Sequence, residues 1–302
     1  MTRPASVTDG PTVRTSDGVD IATYDLGGDG APLLLAHATG FHGRMWLPVV
    51  AHLRQRYRCI AFDERGHGHS GKDPTGEYSW AGFSLDAAAV IDGWHLERPS
   101  AVGHSCGGAL LLALEEACPG TFTSLYCFEP VVFADVPEGL ASQNPLAAMT
   151  RRRRESFDSR DMAAANYRAK PPLSRFDPAA LDAYVTWGFE DLDDGTIRLR
   201  CRREDEARIY EGGPYNGVFP ALDRITCPVT LVCGDAGAHF GRAQVEALGA
   251  RMGNARTEVL GGIGHFGPYE RPGAVARSIL DGLEAMDAGK RRPGGLTGDA
   301  RG

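Results

Sequence analysis

Short apolar runs, bounded by polar or turn-forming residues, alternate along the chain with longer stretches of helical character. Runs of three to five residues suit strands that are buried on both faces of a sheet. They lie at 32–36, 58–62, 100–102, 124–128, 229–233 and 257–260. Helical stretches such as 84–96 and 108–117 fall between them, and an opening hairpin is predicted at 13–26. This alternation predicts a mostly parallel sheet with helices on both faces.

The alternation is interrupted once, which divides the chain into a core and an insertion. Segments 10–133 and 225–287 are assigned to the sheet-forming core, and the charged segment 134–224 to a helical cap above it. A cap of this kind shapes a pocket and excludes water. Residues 288–302 are rich in Gly and Arg with almost no apolar side chains, which predicts a disordered tail.

Charge and composition narrow the class of partner. The formal net charge of −7 argues against nucleic acid or an anionic membrane as the main partner. The basic block 151–154 is interpreted as a solvated helix face. No apolar run is long enough to span a membrane, and the N-terminus lacks the apolar segment of a secretory signal. Seven scattered cysteines without a Cys-x-x-Cys pair predict free thiols in the cytoplasm, and neither a metal nor a cofactor is expected.

The candidate chemistry lies at Gly103-His104-Ser105-Cys106-Gly107, between a predicted strand and a predicted helix. A Gly-x-Ser-x-Gly turn in that setting presents a serine hydroxyl as a nucleophile. In a chain with 39 glycines the pattern also arises by chance, so its partners must support it. A serine needs a base to take its proton. His265 is the candidate base, because it lies in the glycine-rich loop 261–268 after the last predicted strand.

These motifs, in this order, resemble the α/β-hydrolase fold superfamily, specifically its capped single-domain type. The resemblance rests on four stretches, at 37–42, 63–70, 103–108 and 264–266. It implies an α/β-hydrolase fold with a mostly parallel eight-stranded sheet, helices on both faces and a helical cap insertion. It also implies that the backbone N–H groups of Thr39 and Cys106 form an oxyanion hole.

The acid that orients the base is left open between two carboxylates. The family often places it after the seventh strand, in a Gly-x-x-Asp pattern, but this chain has Gly237 there and Asp235 two residues earlier. Some relatives carry the acid at the end of the sixth strand, where this chain has Glu129. A carboxylate at the buried end of a parallel strand is costly unless it is paired. Glu129 is therefore the preferred acid, and Asp235 is the runner-up.

The expected function is that of a serine hydrolase acting on a small-molecule carbonyl substrate: an ester, lactone or thioester. The acyl-enzyme would form on Ser105. A C–C bond hydrolase, an amidase or an acyltransferase would use the same triad, and a non-catalytic ligand-binding protein on this scaffold is a further alternative. The oligomeric state is not predicted. Four residues are candidates for substrate binding, although the first is also interpreted as a brace for its loop: His37, Phe41, His104 and Trp187.

Overall fold

The computed structural model describes residues 8–134, 136, 143–237 and 241–290, with side chains through 287. The described strands are β1 (Thr8–Asp9), β2 (Val13–Arg14), β3 (Asp20–Ile21), β4 (Thr23–Gly27), β5 (Ala31–Ala36), β6 (Tyr57–Phe62), β7 (Ser100–His104), β8 (Ser124–Phe128), β9 (Ser156–Phe157), β10 (Phe189–Asp191), β11 (Ile197–Leu199), β12 (Val229–Gly234) and β13 (Ala255–Leu260). The described α-helices are α1 (Leu47–Leu53), α2 (Trp80–Gly93), α3 (Cys106–Ala117), α4 (Pro145–Arg151), α5 (Arg160–Arg168), α6 (Pro178–Trp187), α7 (Arg203–Gly212), α8 (Arg242–Arg251), α9 (Gly267–Glu270) and α10 (Pro272–Lys290).

An eight-stranded sheet in the order β1-β4-β6-β5-β7-β8-β12-β13 forms the centre of the molecule. The pairs from β6 to β13 are parallel, whereas β1–β4 and β4–β6 are antiparallel. Each of the six apolar runs in the sequence corresponds to one of the parallel strands. The predicted fold class, a mostly parallel eight-stranded α/β-hydrolase sheet, is confirmed.

Helices cover both faces of the sheet. Helices α1 and α10 pack on one face, and α2, α3 and α8 pack on the other. The alternation within β5 shows this division, because Leu34 belongs to one core cluster while Leu33 and Leu35 belong to the other. Since both faces are covered, a strand here reads as a continuous apolar run rather than as alternating residues.

The segment between β8 and β12 forms a separate layer over the sheet. It contains helices α4 to α7 and a small antiparallel sheet in the order β10-β11-β9. The sequence analysis did not include this sheet, because strands of two or three residues are too short to show alternation. Aromatic residues of the layer pack against Phe41 and Tyr269 of the core. The boundaries assigned at 134 and 224 stay predictions.

The two ends of the described chain differ in detail from the sequence analysis. The N-terminal hairpin is shorter than predicted: β2 pairs only with β3, and β4 joins the central sheet. Helix α10 continues through Lys290, so the first residues of the predicted tail are helical. Residues 291–302 lie outside the described residues, and their disorder stays a prediction. Among the residues described, no helix combines the length and apolarity that a membrane span requires.

Candidate active site

The nucleophile candidate occupies a strained turn. Strand β7 ends at His104 and helix α3 begins at Cys106, so Ser105 is the single residue between them, with φ 55° and ψ −113°. A positive φ at a residue other than glycine costs about 1–3 kcal/mol and is typical of functional sites. Neighbouring backbone fixes the turn, since Ser105 N–H donates to the Phe128 carbonyl at 3.0 Å and Val131 N–H donates to the Ser105 carbonyl at 3.2 Å.

Two glycines flank the turn because the backbone leaves no room for a side chain. A Cβ atom at Gly103 would lie 2.5 Å from the Gly107 carbonyl oxygen, and one at Gly107 would lie 2.4 Å from the Ala36 carbonyl oxygen. Such distances cannot be relieved by moving a side chain, since backbone lies on both sides. The Gly-x-Ser-x-Gly pattern is thus a packing requirement of the turn.

The candidate base and the preferred acid meet in the structure. His265 Nδ1 donates to Glu129 Oε2 at 2.6 Å, and the second oxygen, Oε1, accepts from Gly234 N–H at 2.9 Å. The Glu129 side chain is 2% exposed and the His265 side chain is 25% exposed. A proton held on Nδ1 leaves the lone pair on Nε2, which is the tautomer that a general base requires.

Glu129 reaches His265 because two neighbouring parallel strands end together. Glu129 follows β8 directly, with φ 44°, and its N–H donates to the Val232 carbonyl of β12 at 2.7 Å. The runner-up acid, Asp235, follows β12 but is exposed, and its Oδ1 accepts from Gly262 N–H at 2.6 Å. That bond supports the turn at the start of the histidine loop. Asp235 as the acid on His265 is therefore corrected: the carboxylate on the ring is that of Glu129.

His104 ties the serine turn to the histidine loop. Its Nε2–H donates to the His265 carbonyl at 2.7 Å, and the two rings lie 5.0 Å apart. The residue is fully buried, and burial together with nearby His265 lowers its pKa well below the usual value. The buried ring and its bond favour a bracing role for His104, and its contact with substrate stays a prediction.

The loop after β5 carries Thr39, and it is fastened to helix α3 and to the loop after β6. Gly107 N–H donates to the His37 carbonyl at 3.0 Å, which sets the start of α3 against this loop. The His37 ring uses both nitrogens, since Nδ1 donates to the Ala38 carbonyl at 2.8 Å and Nε2 accepts from Glu64 N–H at 3.0 Å. His37 is fully buried. Its interpretation as a loop brace agrees with these bonds, and its substrate contact stays a prediction.

The model of the alpha/beta hydrolase family matches residues 33–278. The chain belongs to the alpha/beta hydrolase family.

One curated relative and two solved structures show how far the similarity of this alpha/beta hydrolase extends. The chain is 30% identical over 140 residues to the "Putative carbamate hydrolase RutD" of Azorhizobium caulinodans, and the match covers 41% of this chain and 52% of that protein. The chain thus spans about half the length of this curated relative. The solved E-2-(acetamidomethylene)succinate hydrolase has a TM-score of 0.80 at 20% identity, with 92% of this chain and 100% of that chain covered. The enol-lactonase from Burkholderia xenovorans LB400 has a TM-score of 0.69 at 22% identity, with 91% and 100% covered.

The sequence analysis used the stretch at 63–70 of this alpha/beta hydrolase as a family signature but assigned it no role. Buried Asp63 accepts from Gly43 N–H and His69 N–H, both at 2.7 Å, and so fastens the loop that carries Thr39. Arg65 is fully buried and bonds to Asp86 at 2.9 Å and to Asp17 at 2.7 Å. The stretch is therefore a scaffold for residues 37–42, here termed the oxyanion loop because they include the predicted oxyanion donor Thr39. The signal was its dense mixture of charge and glycine, which a plain surface turn does not need.

One cluster of potential metal ligands lies beneath the oxyanion loop. The ligand atoms of His37, Glu64 and His67 all lie within 4.8 Å of one another. Both ring nitrogens of His67 are hydrogen-bonded, as those of His37 are. Nε2 accepts from Gly40 N–H at 2.9 Å and Nδ1 donates to the Arg65 carbonyl at 3.1 Å. Burial raises the pKa of Glu64 well above its usual value. Two occupied rings and a neutral acid do not suit a cation.

The two remaining substrate-binding candidates have different surroundings. Phe41 is 8% exposed and lies within an aromatic cluster between the oxyanion loop and the cap. Its ring centroid is 4.7 Å from Tyr269 and 5.5 Å from Tyr184. Trp187 is half-buried, and the guanidinium of Arg44 lies 4.9 Å from its ring centroid. Substrate contact stays a prediction for both residues.

Proposed function

We propose that this hydrolase cleaves a small ester, lactone or thioester through an acyl-enzyme on Ser105. The single observation that carries the proposal is the 2.6 Å bond from His265 Nδ1 to Glu129 Oε2. It supplies an oriented base close to the strained turn that holds Ser105. A binding protein on this scaffold would need neither the buried carboxylate nor the fixed tautomer.

The arrangement supports a reaction in two halves. The Ser105 oxygen attacks the substrate carbonyl carbon while His265 Nε2 takes the hydroxyl proton, and Glu129 stabilises the resulting imidazolium. The backbone N–H groups of Thr39 and Cys106 donate to the oxyanion. As the tetrahedral intermediate collapses, the proton passes from His265 to the leaving group. A water then gives a proton to Nε2 and attacks the acyl carbon. The bond from that carbon to the Ser105 oxygen breaks, the carboxylic acid leaves, and Nε2 returns the proton to the Ser105 oxygen.

Similarity to the two solved hydrolases supports the fold but not the substrate, because both are under 25% identical to this chain. The acyl substrate is therefore argued from this chain's own residues. A serine nucleophile with a histidine–glutamate pair serves ester, thioester and amide cleavage, and the leaving group distinguishes them. We propose the ester class as the first to test, since the alcohol of an ester leaves more readily than the amine of an amide.

Labelling with a fluorophosphonate probe tests the nucleophile directly. We expect the wild-type protein to be labelled stoichiometrically and Ser105→Ala to remain unlabelled, with both variants equally folded by circular dichroism. Activity is then measured on p-nitrophenyl esters of increasing chain length, on the matching p-nitroanilides and on a dienone. An unlabelled wild type would support a binding protein, and cleavage of the dienone alone would support a C–C bond hydrolase.

We further propose that the protein works in a reducing compartment, the cytoplasm. Six of the seven cysteines are buried. Five of the buried thiols have their pKa raised by burial, which keeps them protonated and unreactive: Cys59, Cys106, Cys127, Cys201 and Cys233. The stability of such a protein does not depend on an oxidising environment.

A further inference from the structure

A cavity of about 410 Å³ lies beside the histidine loop, between the cap and the core. Arg175 and Phe176 contribute the cap wall, and Gly264, Glu270 and Arg271 contribute much of the core wall. The volume falls within the range of small-molecule pockets and exceeds what a few waters need. Nothing in the proposed reaction uses this cavity, so its lining calls for a separate account.

Two guanidinium groups line the cavity without an ion pair among the described residues. Arg175 and Arg271 are both exposed, and within the described parts of the chain neither makes an ion pair at 4.0 Å or less. The carboxylate of nearby Asp177 caps the start of α6, where it accepts from Ala179 N–H at 2.9 Å. Burial raises the pKa of Glu270, and Arg175, Arg271 and His265 act in the opposite direction. The donors of both arginines are therefore available to a ligand.

The cavity adjoins the candidate active site along two paths. Gly264 lines it and directly precedes His265, whose side chain is 25% exposed. Phe176 lines it from the cap, and its ring centroid is 5.9 Å from that of Phe41 in the oxyanion loop. The wall of the cavity thus includes the residue next to the candidate base and a ring next to Phe41.

We propose that this cavity is a subsite for a carboxylate carried by the substrate, with Arg175 and Arg271 as its donors. The proposal rests on the proposed hydrolase function of Ser105 and His265. Guanidinium groups bind planar carboxylates through paired N–H donors, and one donor from each wall would clamp the group between cap and core. Glu270 in the same wall repels added negative charge, which favours a singly charged group over a dianion.

Substrate preference provides the kinetic test. The measurement compares kcat/KM for the mono-p-nitrophenyl ester of glutaric acid and for its methyl-capped neutral analogue, which share a leaving group and a length. R175Q and R271Q should each lower the preference for the acid by about fivefold, as expected for partly exposed charge-assisted hydrogen bonds. E270Q should raise it, because a repulsive charge is removed.

Matched controls remove one arginine from elsewhere on each layer. Arg168 is exposed on cap helix α5, and Arg277 is exposed on core helix α10, and neither lines the cavity. R168Q and R277Q should leave the preference unchanged, because they change net charge but no donor at the site. If these controls lower the preference as much as R175Q and R271Q do, general electrostatics explains the effect and the subsite is rejected.

A binding measurement separates the subsite from the proposed reaction. Calorimetry on Ser105→Ala measures the affinity for glutarate and for glutaramide, with and without R175Q or R271Q. If Ser105→Ala binds glutarate through the two arginines but the wild-type protein cleaves no ester, the subsite is supported and the proposed function is rejected. Ester cleavage with no arginine-dependent preference and no glutarate binding would reject the subsite and leave the proposed function standing.

Discussion

Replacing Glu129 by Gln tests the histidine–acid pair with little change in shape. Gln is isosteric, and its Oε1 can still accept from Gly234 N–H as the carboxylate does at 2.9 Å. The amide NH₂ group then faces His265 Nδ1 at the position where the carboxylate oxygen lies at 2.6 Å. Two donors cannot face each other, so the ring must move its proton to Nε2.

The size of the expected loss follows from this change of tautomer. A protonated Nε2 cannot accept the hydroxyl proton of Ser105, and an imidazolium formed during the reaction no longer lies beside a negative charge. The Glu129 carboxylate is almost fully enclosed, at 2% exposed, so solvent does not substitute for its charge. We expect kcat to fall about 10³- to 10⁴-fold, equivalent to about 4 to 5.5 kcal/mol in the activation barrier.

Hydrolysis of the best p-nitrophenyl ester measures this loss, with active-site titration to correct for inactive protein. Asp235→Asn is the matched control, because an Asn oxygen can keep the bond to Gly262 N–H, and its kcat should stay within about threefold of wild type. Equal melting temperatures would show that both variants fold. A Glu129→Gln enzyme within tenfold of wild type, or a larger loss in Asp235→Asn, would refute the reasoning.

Three other results are expected. Gly107→Ala should destabilise the fold by about 1–3 kcal/mol in urea denaturation, because its Cβ would lie 2.4 Å from backbone, whereas Gly253→Ala, in open space, should not. Cys106→Ala should keep kcat within about fivefold, since the proposed oxyanion donor is a backbone N–H; a much larger loss would implicate the thiol. Burial lowers the pKa of His42 to about 3 and of His67 to about 4, so below about pH 6.5 the unfolded state binds protons that the folded state cannot. Stability should therefore fall as pH decreases from 6.5 toward 4, by up to about 1.4 kcal/mol per pH unit for each histidine, and an unchanged urea midpoint between pH 7.5 and 5 would contradict this.

The sheet and the serine turn could be predicted because their signals are local. Strands buried on both faces are continuous apolar runs, and the runs at 32–36 and 229–233 correspond closely to β5 and β12. The turn at Ser105 needs glycines on both sides for steric reasons that act within five residues. Requirements of this kind can be recognised in the sequence without knowing which distant residues contact the segment.

The roles of the buried histidines could not be predicted in the same way. His104 bonds to a carbonyl 161 residues away, and the His67 ring accepts from a backbone N–H 27 residues away. From the sequence alone, a histidine beside a serine nucleophile can be interpreted as a substrate ligand or as a structural brace, because both roles require the same side chain. Only burial and the identity of its partner distinguish the two, and both are properties of the folded chain.

The position of Glu129 shows how two neighbouring strands can each bring a carboxylate toward the same histidine. Strands β8 and β12 are parallel neighbours, with Phe128 paired to Val232, so side chains that follow either strand reach the same space under His265. Glu129 uses this adjacency twice, donating its N–H to Val232 of β12 and accepting from Gly234 N–H at the end of that strand. The strand that usually supplies the acid thus holds the carboxylate in place instead. With that requirement met from β8, the residue at 237 is free to be glycine, and Asp235 is free to support the histidine loop.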